Sequence, residues 1–283
     1  MLSDERAALA AQEEGHWWFR ARRRIVGRLL ERLGVAQRAV SVADLGCGAG
    51  VDLRRLPLAA AVRVGIDAAA GRWSGARTDS LRRGRPEREA VRRDPAPGGG
   101  ADPAAALGDG AAVLLVRGAA ERAPLRSARF DLVLALDVLE HLDDDAPAIA
   151  EAARLLAPGG TLVVSVPAWP FLWSEHDEAL GHKRRYRRAN LRRGLAAAGL
   201  RVERVTYFNT LLFPVALAYR LAWKWTLKRT GAARSRPPQS DTRRLGNRAG
   251  AALEAIFAAE RLWVGRLDAP FGISLLAVAR KPR

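Results

Sequence analysis

Cysteine is nearly absent from this chain, since Cys47 is the only one in 283 residues. A disulfide framework and a cysteine-rich metal site are therefore both excluded. The chain also has only four histidines. Of these, His176 and His182 could serve as zinc ligands, but no cysteine or third histidine stands beside them in the sequence. We therefore predict no metal site.

The chain also lacks an apolar segment at its start, and it lacks an uncharged run of the ~20 residues that a membrane-spanning helix needs. We therefore expect a cytoplasmic protein. One shorter apolar run, residues 210–219, is interrupted by Pro214 and followed by Trp223, Trp225 and basic residues. Such flanks are typical of segments at a membrane interface. Peripheral contact with the inner membrane face therefore stays open, beside a substrate-pocket helix or a dimer contact, and the oligomeric state stays open as well.

Lysine is scarce, because only four of the 47 basic residues are lysines, although the net charge is +17. Such a charge often indicates a nucleic-acid partner. Here the arginines are spread along the chain and not gathered in one tract. Ala, Gly and Pro are abundant as well, which indicates that codon composition accounts for the many arginines. We therefore do not predict nucleic acid as a partner.

Glycines, in contrast, are concentrated in the run Asp-Leu-Gly-Cys-Gly-Ala-Gly at residues 44–50. This run follows a strand-like apolar segment, and a second such segment, residues 62–66, is followed by Asp67. Glycines allow positive φ angles and let a ligand lie against bare backbone. An acid at the end of the second strand is placed for a ribose diol. The pattern predicts an α/β site for a nucleotide-like ligand.

Spacing and charge indicate which ligand this is. A dinucleotide fingerprint needs glycine at its first, third and sixth positions, but Val51 occupies the sixth and the third glycine is Gly50. A pyrophosphate binds at a helix N-terminus without a carboxylate nearby, and Asp44 would repel it. S-adenosylmethionine has no phosphate and carries an ammonium and a sulfonium, which an acid attracts.

A third segment, Phe130 to His141, reads as a buried parallel strand that runs into a polar turn. A helix over about 144–156 follows, the breakers at 157–160 end it, and a strand covers 161–166. With these segments the chain resembles the class I S-adenosylmethionine-dependent methyltransferases, especially small-molecule methyltransferases like those of ubiquinone and menaquinone biosynthesis. The resemblance covers about residues 40–68 and 113–208.

This resemblance implies an α/β, Rossmann-like fold with a doubly wound seven-stranded sheet of order 3-2-1-4-5-7-6, whose last strand is antiparallel. We expect one methyltransferase domain over residues 1–283. The N-terminal helix is interpreted either as packed on the sheet or as a lid. The expected parts are a helical lid over 1–36, a mobile insertion over 69–112, a substrate loop over 169–187, a helix over 189–198, strands over 201–208 and 271–280, and between these strands a helical cap over 209–270.

The resemblance also implies S-adenosylmethionine as the cofactor. After the third strand the family often has Gly-Asp-Ala, whose acid meets the adenine amino group. Here the run is Gly118-Ala119-Ala120-Glu121, so either Glu121 substitutes for that acid or backbone groups hold the adenine. The residues expected to bind the cofactor are Asp44, Gly46, Cys47, Gly48, Gly50, Asp67, Ala119, Glu121 and Asp137.

Two histidines are candidate bases, because histidine has a pKa near neutrality. His141 follows the fourth strand, where the family places a residue close to the cofactor or substrate; a structural hydrogen bond is the alternative. His182 is the second candidate. Aromatic and basic residues around it suit an acceptor pocket. The predicted substrate contacts are His16, Trp17, Trp169, His176, Arg185 and Tyr186.

The expected function is therefore methyl transfer from S-adenosylmethionine to a small-molecule or lipid-like acceptor, at oxygen rather than at nitrogen or carbon. Two alternatives remain at this point. One is an NAD-dependent Rossmann oxidoreductase, against which the glycine spacing argues. The other is a protein that binds the methyl donor without catalysis, against which the intact Asp44, Asp67 and His141 argue.

Overall fold

A computed structural model describes residues 13–37, 41–60, 62–68, 113–230 and 247–283 of the protein. The insertion predicted over 69–112 lies outside the described residues. Within the described ones, the strands form one seven-stranded sheet of order β3-β2-β1-β4-β5-β7-β6, which confirms the expected order. The strands are β1 (Ser41–Leu45), β2 (Val62–Asp67), β3 (Val113–Arg117), β4 (Phe130–Leu136), β5 (Leu156–Pro167), β6 (Arg201–Phe208) and β7 (Ser274–Arg280).

The first five strands pair in parallel, and β7 is inserted antiparallel between β5 and β6. Helices cover both faces of this sheet. They are α1 (Trp17–Arg32), α2 (Val51–Arg55), α3 (Ala146–Leu155), α4 (Glu175–Leu180), α5 (Arg188–Ala197), α6 (Phe213–Thr230) and α7 (Asn247–Ala258), with short 3-10 turns at Leu139–His141, Pro170–Leu172 and Ala259–Leu262.

The core consists of two hydrophobic layers, one on each face of the sheet. Helices α3 and α5 contribute to one layer, and α1, α2 and α7 to the other. Successive side chains of β4 alternate between them: Leu132 and Leu134 enter the second layer, while Val133 and Ala135 enter the first. A strand buried on both faces reads as a continuous apolar run. The faces are therefore closed, and a ligand has access at the carboxyl ends of the strands.

Helix α1 packs against α7, although more than 200 residues separate them in the sequence. The Trp18 ring stacks on the Phe257 ring, with 4.9 Å between their centroids. Arg20 Nε donates to Glu254 Oε2 at 2.8 Å, across 234 positions of the sequence. Within the range 209–270, which was expected to form a cap, α7 is therefore part of the hydrophobic core beside α1.

The element boundaries differ slightly from those expected from the sequence. The helix expected over 144–156 is Ala146–Leu155, and Leu156 already pairs with Phe130 as the first residue of β5. The helix therefore ends just before the glycine and proline residues at 157–160, and these residues belong to the extended strand β5. The final strand begins at Ser274 and not at Phe271. Among the described helices, none combines the length and the apolar character needed to cross a membrane.

Candidate active site

The glycine turn joins β1 to α2 at the carboxyl end of the sheet. Gly46 and Gly48 both have positive φ angles, of 67° and 52°. A Cβ on Gly46 would lie 2.5 Å from Val138 Cγ2, and one on Gly48 would lie 2.3 Å from Glu13 Oε1. The conformation therefore favours glycine at both positions, and at Gly46 the available space requires it as well, whereas the tip of the Glu13 side chain could move away from a Cβ at residue 48. The turn exposes bare backbone to the space above the sheet, as the sequence predicts.

Four carboxyl groups surround this turn, from Glu13, Asp44, Asp52 and Asp67. Asp67 Oδ2 accepts a hydrogen bond from the backbone N–H of Gly48 at 3.0 Å. Burial raises the pKa of Asp44 well above its ordinary value, and the charge of Asp52 raises it further. Burial likewise raises the pKa of Glu13 to about 7, again with a contribution from Asp52. The site is therefore short of positive charge, and a cationic ligand would stabilise the ionised acids.

The positive charge of Arg22 partly balances the negative charge of the acids around this turn. Arg22 is 4% exposed, and its guanidinium donates to Asp52 Oδ2 and to Asp137 Oδ2, both at 2.5 Å. Asp137 is further held by the hydroxyl of Ser165, which donates to its Oδ1 at 2.8 Å. Asp137 also has a positive φ angle of 58°, an uncommon conformation for a residue other than glycine. Helix α1 is thus connected directly to the turn that follows β4.

A cavity of about 570 Å³ extends from the glycine turn toward the loop after β5. All four histidines of the chain line it, although they lie far apart in the sequence. It therefore brings most of the predicted site residues together. Those in its lining are His16, Trp17, Asp44, Gly46, Cys47, Gly48, Asp67, Ala119, Glu121, Asp137, His141, His176, His182 and Arg185.

Three predicted site residues lie outside this lining. Gly50 is the N-cap of α2. Trp169 stacks on Tyr207 with 4.9 Å between ring centroids, and its indole N–H donates to Gly272 O at 2.9 Å. The buried hydroxyl of Tyr186 donates to Asp145 Oδ2 at 2.5 Å. Trp169 and Tyr186 thus hold the loop after β5 through contacts outside the cavity lining. We leave both residues out of the proposed acceptor site.

Asp177 organises the loop end of the cavity. It is fully buried, and its Oδ1 lies 2.9 Å from His182 Nδ1 and accepts from Arg185 Nε at 2.7 Å. Burial alone would raise the pKa of Asp177, but the hydrogen bonds from His182 and Arg185 outweigh it and hold this pKa below its usual range. Arg220 of α6 approaches the other carboxylate oxygen at 3.7 Å. One carboxylate thus fixes a histidine and two arginines at the cavity wall.

The other histidines of the cavity occupy distinct environments. Burial lowers the pKa of His176 to about 3, and the charge of Arg220 adds to this effect, so His176 is neutral at pH 7. The ring of His141 meets that of His182 edge to face, with 4.9 Å between centroids. His16 accepts from the backbone N–H of Trp18 through Nδ1 at 3.2 Å. Its burial lowers its pKa as well.

Several buried polar atoms in the cavity wall have no hydrogen-bond partner among the described residues. They are His16 Nε2, Trp17 Nε1, Glu140 Oε2 and Asn209 Oδ1. Buried polar atoms are normally paired, since an unpaired one costs about 1–3 kcal/mol. A cavity with an acidic floor and several open donors and acceptors fits a polar, cationic ligand such as S-adenosylmethionine.

Sequence reasoning missed Glu13, Arg22, Glu140, Asp177 and Arg220 as parts of this site. Two of them carried a usable signal. Arg22 stands four residues after Trp18 and three before Ile25, which places it on the apolar face of α1. Asp177 stands three residues after Ser174, the spacing of a capping box, and both capping bonds are present. The other three show no comparable pattern.

A sheet of this order, with its antiparallel seventh strand and an acidic floor beside a glycine turn, defines the class I S-adenosylmethionine-dependent methyltransferases. The comparison with known families agrees, because a methyltransferase domain family matches residues 17–205. This match covers more than half of the chain. The chain therefore belongs to this methyltransferase family, with S-adenosylmethionine as its cofactor.

Curated relatives match over shorter stretches. A "probable S-adenosylmethionine-dependent methyltransferase" of Mycolicibacterium smegmatis is 38% identical over 82 residues, which are 28% of this chain and 32% of that protein. An uncharacterized 37.1 kDa protein in transposon TN4556 of Streptomyces fradiae is 31% identical over 141 residues, 49% of this chain and 33% of that protein. The chain thus spans about a third of the length of the curated relatives it matches.

Solved structures show the same fold at low identity. One is a chain of the complex between the Haloferax volcanii Trm112 methyltransferase activator and the "putative methyltransferase", with a TM-score of 0.56, 20% identity and full coverage of both chains. Another is a "putative methyltransferase" from Bacillus halodurans, with a TM-score of 0.50, 17% identity and coverage of 90% of this chain and 99% of that one. These likenesses concern the fold alone.

Proposed function

We propose that this protein transfers a methyl group from S-adenosylmethionine to a hydroxyl oxygen of a small-molecule or lipid-linked acceptor. The observation that supports this most is the continuity of one cavity, whose lining runs from Asp44 and Gly48 to His141 and His182. A donor and an acceptor can therefore share one space. Methyl transfer depends mainly on such proximity and alignment.

The glycine end of the cavity is the proposed donor site. Asp67 would hold the ribose hydroxyls, while Glu13 and Asp44 would attract the positive charges of the donor. Ala119 and Glu121, which follow β3, would line the adenine. When bound, S-adenosylmethionine supplies an electrophilic methyl group on a sulfonium that is a good leaving group. The protein itself orients the two partners and excludes water between them.

The loop end of the cavity is the proposed acceptor site, with His141 and His182 in the catalytic roles. A hydroxyl loses its proton when it is methylated, so a base beside it accelerates transfer. The hydrogen bond between Asp177 and His182 Nδ1 fixes the orientation of the ring. It leaves Nε2 of His182 free to act on the acceptor. The presence of this oriented base is the reason to favour oxygen as the methylated atom.

The helical segment after β6 favours an acceptor with an apolar part. Helix α6 exposes Val215, Tyr219, Leu221 and Trp225 at 70%, 52%, 54% and 60% of their surface. Arg220 of the same helix is buried and lines the cavity. An apolar chain on the acceptor can thus pass from the cavity onto α6. The net charge of +17 would favour an anionic membrane surface beside it.

Calorimetric titration of the full chain tests the donor site. We expect one S-adenosylmethionine to bind per chain and NADH not to bind. Asp67→Ala removes a charged hydrogen-bonding group and should weaken donor binding by about tenfold or more. Asp268→Ala, which removes an exposed acid that pairs with Arg204 outside the cavity lining, should leave donor affinity unchanged. A wild-type protein that binds NADH, or that binds no S-adenosylmethionine, contradicts the proposal.

Transfer of a labelled methyl group to extracted metabolites and lipids tests the acceptor. We expect an oxygen-linked methyl group in the product. His141→Ala and His182→Ala should lower turnover far more than donor affinity. Flotation with anionic vesicles tests whether the exposed apolar residues of α6 contact a membrane. Wild type should co-float with the vesicles, and the double variant Val215→Ser, Trp225→Ser should co-float less. A product methylated on nitrogen or carbon would overturn the assignment to oxygen.

The N-terminal helix is proposed to act as a wall of the donor site as well as a core element. Trp17 lines the cavity, and its ring meets Phe257 edge to face, with 6.4 Å between centroids. Trp17→Ala should therefore weaken donor binding, whereas Trp17→Phe keeps the packing and should preserve it in part. Unchanged donor affinity in Trp17→Ala would leave this residue with a packing role alone.

A further inference from the structure

Three side chains at the acceptor end of the cavity converge on one point. Glu140 and His141 lie in the 3-10 turn after β4, and His182 lies just after α4. Each can direct one ligand atom toward the others, and these atoms all lie within 4.8 Å of one another. The backbone fixes this arrangement, because Lys183 N donates to Glu140 O at 2.6 Å. The two segments are therefore held together at the base of the cluster.

Glu140 needs a partner that the described residues do not supply. Glu140 is only 1% exposed, and its Oε2 has no hydrogen-bond partner among the described residues. Leaving one oxygen of a buried carboxyl group unpaired is unfavourable, and buried carboxylates in proteins are paired or bind metals. Glu140 also lines the cavity. The unpaired oxygen therefore belongs to a side chain in the wall of a space that a cation can enter.

His182 is oriented as a metal ligand would be. Its Nδ1 lies 2.9 Å from Asp177 Oδ1, and Asp177 is itself held by Arg185 Nε at 2.7 Å. Histidines that bind metals usually donate their other ring N–H to a carboxylate, which fixes the tautomer. Here this bond leaves Nε2 as the nitrogen available for an ion.

We propose that Glu140, His141 and His182 bind a divalent transition metal ion, with zinc as the best match. Two imidazoles and one carboxylate form a ligand set used by catalytic zinc sites, which keep an additional position open. Magnesium and calcium prefer oxygen ligands alone, so the two nitrogens argue against them. The open position would face the cavity, where an acceptor oxygen can bind. From the sequence alone, His182 was considered as a zinc ligand only beside His176, because the turn that carries Glu140 and His141 lies some 40 residues before His182.

The catalytic role of this ion rests on the proposed function, which the ion deepens by explaining how the acceptor would be activated. A histidine nitrogen that binds an ion cannot also take up a proton. The two histidines would then act on the acceptor through the ion, because a hydroxyl bound to a cation loses its proton more easily. Removal of the ion with a chelator should therefore lower methyl transfer while leaving donor binding intact.

Metal binding itself is the primary test, measured on the full chain without any acceptor. After dialysis against a chelator, titration with zinc should show one ion per chain, and cobalt should give the absorption bands of a tetrahedral or five-coordinate site. Glu140→Gln and His182→Ala should each weaken binding by about 100-fold or more, and Asp177→Asn, which removes the charge that orients His182 and pairs with Arg185, by about 10–100-fold. His16→Gln, a histidine elsewhere in the same cavity, should keep the stoichiometry.

The outcomes separate this inference from the proposed function. A protein that binds S-adenosylmethionine but no zinc, or that binds zinc equally in Glu140→Gln and His182→Ala, overturns the metal site alone. Cobalt bands with thiolate character would assign the ion to Cys47 and would overturn it too. Zinc binding that is lost in both variants while donor affinity persists supports it. A protein that binds zinc at this site but no S-adenosylmethionine refutes the proposed function instead.

Discussion

The buried carboxyl group of Glu13 makes a quantitative prediction about pH. Its pKa is raised from 4.5 to about 7, because it is buried beside Asp52. The folded protein therefore holds this proton more tightly than the unfolded chain does. By linkage, Glu13 lowers the free energy of unfolding as pH rises from about 4.5 to about 7, and its effect is then constant. At ~1.4 kcal/mol per pKa unit, the loss reaches about 3 kcal/mol.

Glu13→Gln removes the titrating group and keeps an oxygen that can accept the hydrogen bond from Ala49. At about pH 4.5 the variant and wild type should be equally stable, and at about pH 8 the variant should be more stable by up to about 3 kcal/mol. Urea unfolding of the ligand-free protein across this range measures the difference. Glu14→Gln is the matched control, since Glu14 only forms a surface pair with Arg55 at 3.7 Å.

The same group couples pH to binding of the methyl donor. A cationic ligand favours the ionised form of Glu13, so binding below about pH 7 should release a proton and strengthen as pH rises. Calorimetry in two buffers of different ionisation enthalpy counts that proton. Glu13→Gln should abolish the release. A wild-type stability that does not fall relative to Glu13→Gln between about pH 5 and about pH 7 would refute the reasoning.

Three substitutions test the rest of the site and its support. Gly48→Ala should weaken donor binding, because a φ angle of 52° strains any residue with a Cβ and because this Cβ would displace the Glu13 side chain from its place beside the turn; calorimetry checks this, and wild-type affinity would contradict it. Arg22→Met should cost about 3–5 kcal/mol of stability by removing the nearest counter-charge of Asp52 and Asp137, whereas Arg28→Met, which breaks an exposed pair on the same helix, should cost at most about 1 kcal/mol. Phe257→Ala should cost about 3–5 kcal/mol in the same unfolding assay, and a loss below about 1 kcal/mol would show that α7 is not part of the core.

The fold could be predicted, and a candidate donor site proposed, because the signals for both are local. The glycine turn, the acid at the end of β2 and the turn after β4 each lie within a dozen residues of sequence. Their arrangement followed from the family resemblance and the rules for parallel sheets. Strand β6 was predicted to the residue, since Gly199 ends the preceding helix with a φ angle of 77°.

The acceptor end could not be predicted to the same degree, because it is assembled from distant segments. Glu140 and His182 meet only after β5 and α4 have folded between them. Trp169 and Tyr186 were predicted as substrate contacts from the position and composition of their loop, which do not show that Trp169 stacks on Tyr207 or that Tyr186 donates to Asp145. Their contact with a substrate stays a prediction. Arg22 was overlooked because an arginine on an amphipathic helix is usually solvated. In this protein it is the counter-charge for two acids that the sequence places elsewhere.

The contact between α1 and α7 has a consequence for biosynthesis. Trp17 and Trp18 leave the ribosome some 240 residues before their partner Phe257. Until then the two indole rings lack the aromatic ring that both of them contact, and the apolar surface left exposed is one that chaperones bind. Helix α1 also forms the wall beside the glycine turn. We therefore expect a nascent polypeptide to retain its methyl donor firmly only after Phe257 has been synthesised, and fragments stalled before that residue to be inert toward the donor.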